Sequence, residues 1–151
     1  MSFFHLFHPG DPPAAEPYAP GECQIEGSLT YLLASGHKIS HRNDILLTHG
    51  SKQCFAIECK FLSAVSDQFK ARSYDMLQLK RELGRNVVGI MVYVHLPGPG
   101  LSLETARAFC YPFDHFLGFD LRRPEEFAAL QWHQLADIIE SAIAKAGSPT
   151  G

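Results

Sequence analysis

Residues 87–96, Val-Val-Gly-Ile-Met-Val-Tyr-Val-His-Leu, form a nearly unbroken apolar run rich in β-branched side chains. A strand with one wet face alternates apolar and polar residues, whereas a continuous run is expected where both faces are covered. The run is also too short for a membrane-spanning helix, which needs roughly 20 apolar residues. It predicts the central strand of a sheet packed on both sides, and the rest of the chain must supply the layers that cover it.

Those layers are legible in part. The apolar positions Ile25, Leu29, Leu32 and Leu33, followed by Gly36, predict a helix over 22–35. A short extended piece at 37–40 precedes two apolar segments, 44–48 and 54–59, joined by His49-Gly50-Ser51-Lys52-Gln53, which predicts a β-hairpin. Phe69, Met76, Leu77, Leu79 and Leu83 mark an amphipathic helix over 66–83 with a basic exposed face and Gly84 as its stop. After the Pro97-Gly98-Pro99-Gly100 loop, 106–113 is expected as a further strand. Pro124, Glu125 and Glu126 open a last helix, whose buried stripe is Phe127, Leu130, Ile138, Ile139, Ala142 and Ile143. The expected class is α/β with a mixed sheet (α+β), in the order αβββαβ, then a further strand and a C-terminal helix.

With 151 residues, 46% of them hydrophobic, the chain is long enough for one domain with a sizeable core. The expected organisation is a Pro-rich arm over 1–21, a single domain over 22–146 and a tail over 147–151. No window approaches about 18 consecutive apolar residues, and Pro and Asp interrupt the first twenty residues where a signal peptide needs an apolar stretch. A soluble, cytoplasmic protein without a membrane partner is therefore expected. The four cysteines include no C-x-x-C pair, and the eight histidines share no metal-ligand spacing. Buried thiols, and no histidine-based metal centre, are the expectation. No phosphate-binding glycine loop and no G-x-S-x-G occurs, so nucleotide-cofactor and serine-hydrolase chemistry have no support.

The formal charge of −3 argues against a nucleic-acid partner until it is divided. Residues 1–37 carry −4, residues 38–107 carry +4, and residues 108–151 carry −3. The basic block contains the one constellation with chemical promise. Glu58 and Lys60 alternate onto one face of a strand. Asp44 lies on the hairpin partner, and an odd-length loop of about three to five residues would set it opposite Glu58. Two adjacent carboxylates repel unless a cation lies between them, and a hard divalent ion is the usual occupant.

The string Asn43-Asp44-Ile45-Leu46-Leu47, followed after an interval by Ala56-Ile57-Glu58-Cys59-Lys60, resembles the PD-(D/E)XK nuclease superfamily, whose restriction-endonuclease-like fold has the same αβββαβ core order. Asn43 stands where the motif nominally has proline. The resemblance implies Asp44 and Glu58 as ligands of Mg²⁺ or Mn²⁺, Lys60 as the third catalytic residue, and Glu26 of the first helix as a further ligand. It implies a polar residue from the helix after the E-x-K strand, with Gln68, Lys70, Tyr74 and Gln78 as candidates, and the basic residues Lys70, Arg72 and Lys80 of that helix are candidates to line the path of a phosphate backbone. Gln68 and Tyr74 do not match the family's Gln-x-x-x-Tyr variant. The implied activity is metal-dependent endo- or exonucleolytic cleavage of DNA, with RNA as another possible substrate class. Weak or structure-specific recognition, in the manner of Holliday-junction resolvases, and a homodimer are expected, because one site cuts one strand. The competing expectation is a non-catalytic nucleic-acid-binding or protein-assembly module on the same fold.

Overall fold

A computed structural model describes residues 21–49, 53–62, 64–96, 98, 100–122 and 124–147. The arm 1–20, Lys52 at the hairpin tip, the tail from 148 on, and the side chains of Phe127 and Leu130 lie outside the described residues. In chain order the elements are β1 (Gly21–Ile25), β2 (Ser28–Leu32), β3 (Lys38–Arg42), β4 (Ile45–His49), β5 (Gln53–Leu62), α1 (Ser66–Leu83), β6 (Val87–His95), α2 (Leu103–Phe109), β7 (His115–Asp120) and α3 (Pro124–Gly147). The class is α/β with a mixed sheet of order β1-β4-β5-β6-β7, while β2 and β3 form a separate two-stranded sheet. β4 runs antiparallel to β1 and β5, and β5, β6 and β7 run parallel. None of the helices among the described residues is long and apolar enough to cross a membrane.

Each parallel connection needs a crossover, which α1 supplies between β5 and β6 and α2 between β6 and β7. Strand alternation divides the core accordingly. Ala56, Met91 and Tyr93 pack with Phe69, Met76 and Leu79 of α1 and Ala106 of α2. Phe55, Ile57, Ile90, Val94, Leu117 and Phe119 pack on the opposite face with Ile139 of α3, joined by Ile138, Ala142 and Ile143. The run at 87–96 is thus covered on both faces, and fully burying each such large apolar side chain contributes about 1.5–3 kcal/mol. β6 is an interior strand, but the middle of the sheet is β5, because β1 adds a fifth strand beyond the hairpin.

Three expectations need correction. Residues 22–35 form strands β1 and β2 in place of a helix. Gly27 interrupts any helix there, and Glu26 takes a left-handed φ of 55° to turn the chain from one strand to the next. Leu29 and Tyr31 alternate inward against the α1 cluster, whereas Ile25 and Leu32 of the supposed helical stripe are 72% and 66% exposed. Gly36, with φ 82°, turns β2 into β3 and ends no helix. Over 106–113 the expected strand is instead helix α2 and the turn after it. Ser102 Oγ accepts a hydrogen bond from the Thr105 N–H at 3.2 Å and so caps that helix. Finally, Cys110 alone of the cysteines is fully buried, and Cys23 is exposed.

Candidate active site

In the β4–β5 hairpin His49 pairs with Gln53 at one end and Ile45 with Ile57 at the other. Continued one step, that register sets Asp44, in the bend before β4, opposite Glu58, and the Asp44 charge acts on the Glu58 carboxyl. Leu46 pairs with Ala56, which faces α1, so alternation puts Asp44, Glu58 and Lys60 on the α1 face of the sheet. The convergence expected of an odd-length loop is present.

Two sets of bonds fix Asp44 in place. Its Oδ2 accepts from the Cys59 N–H at 2.7 Å, substituting for the next rung of the ladder. On its other side the Glu26 N–H donates to the Asp44 carbonyl at 2.8 Å. The preceding residue, Asn43, is 2% exposed. Its N–H donates to the Gly27 carbonyl at 2.8 Å, and its Nδ2 reaches the carbonyls of Gly27 at 3.4 Å and His41 at 3.3 Å. Proline has neither group, which accounts physically for asparagine at this position.

Glu58 is 3% exposed. Burial and the neighbouring Asp44 carboxylate push its carboxyl up from 4.5 to about 7, burial being the larger cause, against the opposing charges of Arg72 and Lys60. Its Oε2 is buried without a hydrogen-bond partner among the described residues. Arg72 Nε lies 3.3 Å from that oxygen, close enough for charge attraction but misaligned for a hydrogen bond. Lys60 is half-buried and in register with Tyr93; its side chain makes no hydrogen bond or salt bridge among the described residues, while its charge acts on Glu58.

A polar chain that the sequence did not reveal runs from this pair to the small sheet. Arg72 Nη1 lies 3.6 Å from Asp75 Oδ2, and Asp75 Oδ1 lies 3.6 Å from His41 Nδ1. His41 Nε2 and the Tyr31 hydroxyl are 3.3 Å apart, with their rings stacked at 5.7 Å. The available signal was the i,i+3 spacing of Arg72 and Asp75. The link from Asp75 to His41 depends on docking of β2 and β3 and has no local signature.

The remaining candidates disperse. Glu26 is the register neighbour of Asp44, one step past the Ile25–Ile45 pair, but its exposed carboxylate pairs with Arg42. Gln68 Oε1 accepts from the Val65 N–H at 3.2 Å and caps α1. Lys70 lies over the Phe109 ring at 4.9 Å, and Lys80 pairs with Asp114 at 2.6 Å. Gln78 is half-buried. Lys70 and Lys80 therefore lie toward α2 and β7, away from Arg72, and the expected single basic face of α1 is split into two flanks.

The donor set suits a hard divalent cation with few protein ligands. Two adjacent carboxylates, one with a buried unpartnered oxygen, are what Mg²⁺ uses when water and phosphate oxygens complete its shell. No cluster of three or more His, Cys, Asp or Glu side chains arranged to hold a metal occurs among the described residues. Comparison of the chain with protein-family models, curated proteins and solved structures finds no match.

Proposed function

We propose that the chain is a small metal-dependent nuclease of the PD-(D/E)XK type, on a restriction-endonuclease-like fold, that hydrolyses phosphodiester bonds in DNA. The observation that carries this reading is the Asp44 carboxylate beside the buried Glu58, whose carboxyl feels the charges of both Asp44 and Lys60. The antiparallel β4–β5 pair followed by α1 and the parallel strand β6 supports it, although strands replace the first helix of the expected core and β3 pairs with β2 outside the main sheet. Asp44 and Glu58 would hold Mg²⁺ or Mn²⁺, with Glu26 available as a third carboxylate once released from Arg42. The ion would neutralise charge on the phosphoryl oxygens and acidify a bound water. In the net reaction, water adds its oxygen to phosphorus, one P–O ester bond breaks, and the leaving oxygen takes up a proton. Lys60, beside the carboxylates, orients the attacking water and holds charge on the phosphoryl oxygen. A homodimer would supply a second site for the second strand, which suits cleavage of branched DNA.

The test incubates pure protein with supercoiled, linear, branched and single-stranded DNA, and with RNA, in Mg²⁺ or Mn²⁺ beside Lys60→Ala. Metal-dependent cleavage of DNA, reduced about 10²- to 10³-fold in the variant, is the expected result. No cleavage of any substrate, or equal cleavage by the variant, overturns the reading. One observation favours a non-catalytic binding module on the same fold: the protein already supplies Glu58 with a cation, Arg72. In that case the protein binds nucleic acid without cutting it, and metal leaves binding unchanged.

A further inference from the structure

Arg72 lies between two acids, with Glu58 at 3.3 Å on one side and Asp75 at 3.6 Å on the other. The two acids differ in what they need. Glu58 is buried beside a second carboxylate, and its unpartnered Oε2 faces the guanidinium. Asp75 is 37% exposed, and water can serve it when Arg72 does not. Asp75 is in turn held by His41 of β3, and His41 by Tyr31 of β2. The guanidinium therefore has two anchors on opposite sides, at distances that leave neither contact closed into a bidentate pair.

We infer that Arg72 is an internal counter-cation that competes with a divalent ion for Glu58, and that Asp75 is a positioning residue that draws Arg72 off Glu58 when the ion is taken up. The inference rests on the proposed metal site and adds its regulation. A guanidinium and a divalent cation cannot both hold the same carboxylate oxygen without strong repulsion. Arg72 must leave Oε2 for that oxygen to join the ligand set, and Asp75 gives it a place to go within reach of its present position. The small sheet, through Tyr31 and His41, sets where Asp75 stands, so an element outside the main sheet tunes the affinity of the carboxylate pair.

The two roles have opposite signatures. Arg72→Gln removes the competitor and tightens Mn²⁺ binding. Asp75→Asn weakens the alternative anchor, leaves Arg72 on Glu58 and loosens Mn²⁺ binding. Each effect is expected to be about fivefold, the scale of a half-exposed ion pair. Because Asp75 acts through Arg72, the double variant should behave as Arg72→Gln alone, a non-additivity that independent structural damage does not produce. Arg72→Lys, which keeps the charge, should return the affinity toward that of the wild-type chain.

The measurement is Mn²⁺ affinity of the full chain by electron paramagnetic resonance in the absence of nucleic acid, with thermal unfolding as a control on folding. Opposite shifts for the two single variants, and a double variant matching Arg72→Gln, are the expected result. Wild-type binding that is lost in Asp44→Asn with Glu58→Gln but unchanged by Arg72→Gln would overturn the inference and leave the metal site standing. Shifts of the same sign in both single variants would also overturn it. Absence of Mn²⁺ binding by the wild-type chain would overturn both the inference and the metal-dependent reading beneath it.

Discussion

The Cys59 N–H donates to Asp44 Oδ2 at 2.7 Å, so the carboxylate proposed as a metal ligand completes the backbone bonding of the strand that carries Glu58. Structural and chemical roles of Asp44 are then separable by substitution. Asp44→Asn keeps an oxygen acceptor and should retain most of the stability. Asp44→Ala leaves a half-buried N–H unmet and should cost about 1–3 kcal/mol. Both should lose Mn²⁺ binding and cleavage. Urea midpoints decide the matter, and equal stability of the two variants would contradict the bond's structural role.

Glu58 sets the pH dependence of the metal-free protein. Its carboxyl is raised from 4.5 to about 7 on folding, so between those values the folded chain holds a proton that the unfolded chain has released. Stability therefore falls as pH rises through that window, by up to about 3 kcal/mol. Thermal unfolding in EDTA across this range should show the fall, and Glu58→Gln should flatten it. Saturating Mn²⁺ should offset the loss at the upper end, where Glu58 is ionised and able to bind.

Proline at position 43, as the nominal motif has it, should harm this chain. Asn43→Pro deletes the N–H bonded to the Gly27 carbonyl at 2.8 Å and both side-chain contacts to carbonyls. A loss of about 3 kcal/mol or more is expected, since a buried carbonyl loses its donors. Denaturant titration checks it, and a neutral or stabilising effect would mean that the turn before β4 tolerates a different bonding pattern.

Gly89 lets α1 lie close on β6. A Cβ added there would stand 2.6 Å from Met76 Sδ, too close without movement of the methionine. Gly89→Ala should destabilise by about 1–3 kcal/mol through overpacking. Because α1 also carries Arg72, it should shift Mn²⁺ affinity in the direction of Arg72→Gln. An unchanged unfolding midpoint would show that Met76 rearranges freely.

The legible parts of this chain were those in which local pattern and tertiary demand agree. The hairpin, the shared face of Glu58 and Lys60, helix α1 with its Gly84 stop, and the covered strand β6 each follow from alternation, helical periodicity or a breaker residue. The stretch 22–35 misled because Ile25, Leu29, Leu32 and Leu33 satisfy helical spacing while Leu29 and Tyr31 satisfy strand spacing. Pairing of β1 with β4 and docking of β2 against α1 decide between them, and both are long-range. At 102–105 the Ser-x-x-Thr cap was present in the sequence, but apolar content at 106–113 outweighed it. The Asp44–Glu58 pair is local and is legible. The Arg72–Asp75–His41–Tyr31 chain joins three elements and is not.

The Asp44–Cys59 bond closes within the hairpin across 15 positions, whereas Arg72 meets Glu58 only once α1, which is made after the hairpin, has docked on the sheet. The two closures span nearly the same length of chain, so the order of synthesis and not loop entropy separates them. As the chain emerges from synthesis, the two carboxylates therefore meet before the guanidinium that offsets them has been placed. The hairpin must tolerate its own repulsion during that interval, held together by the apolar pairs Ile45–Ile57 and Leu47–Phe55 until the helix arrives.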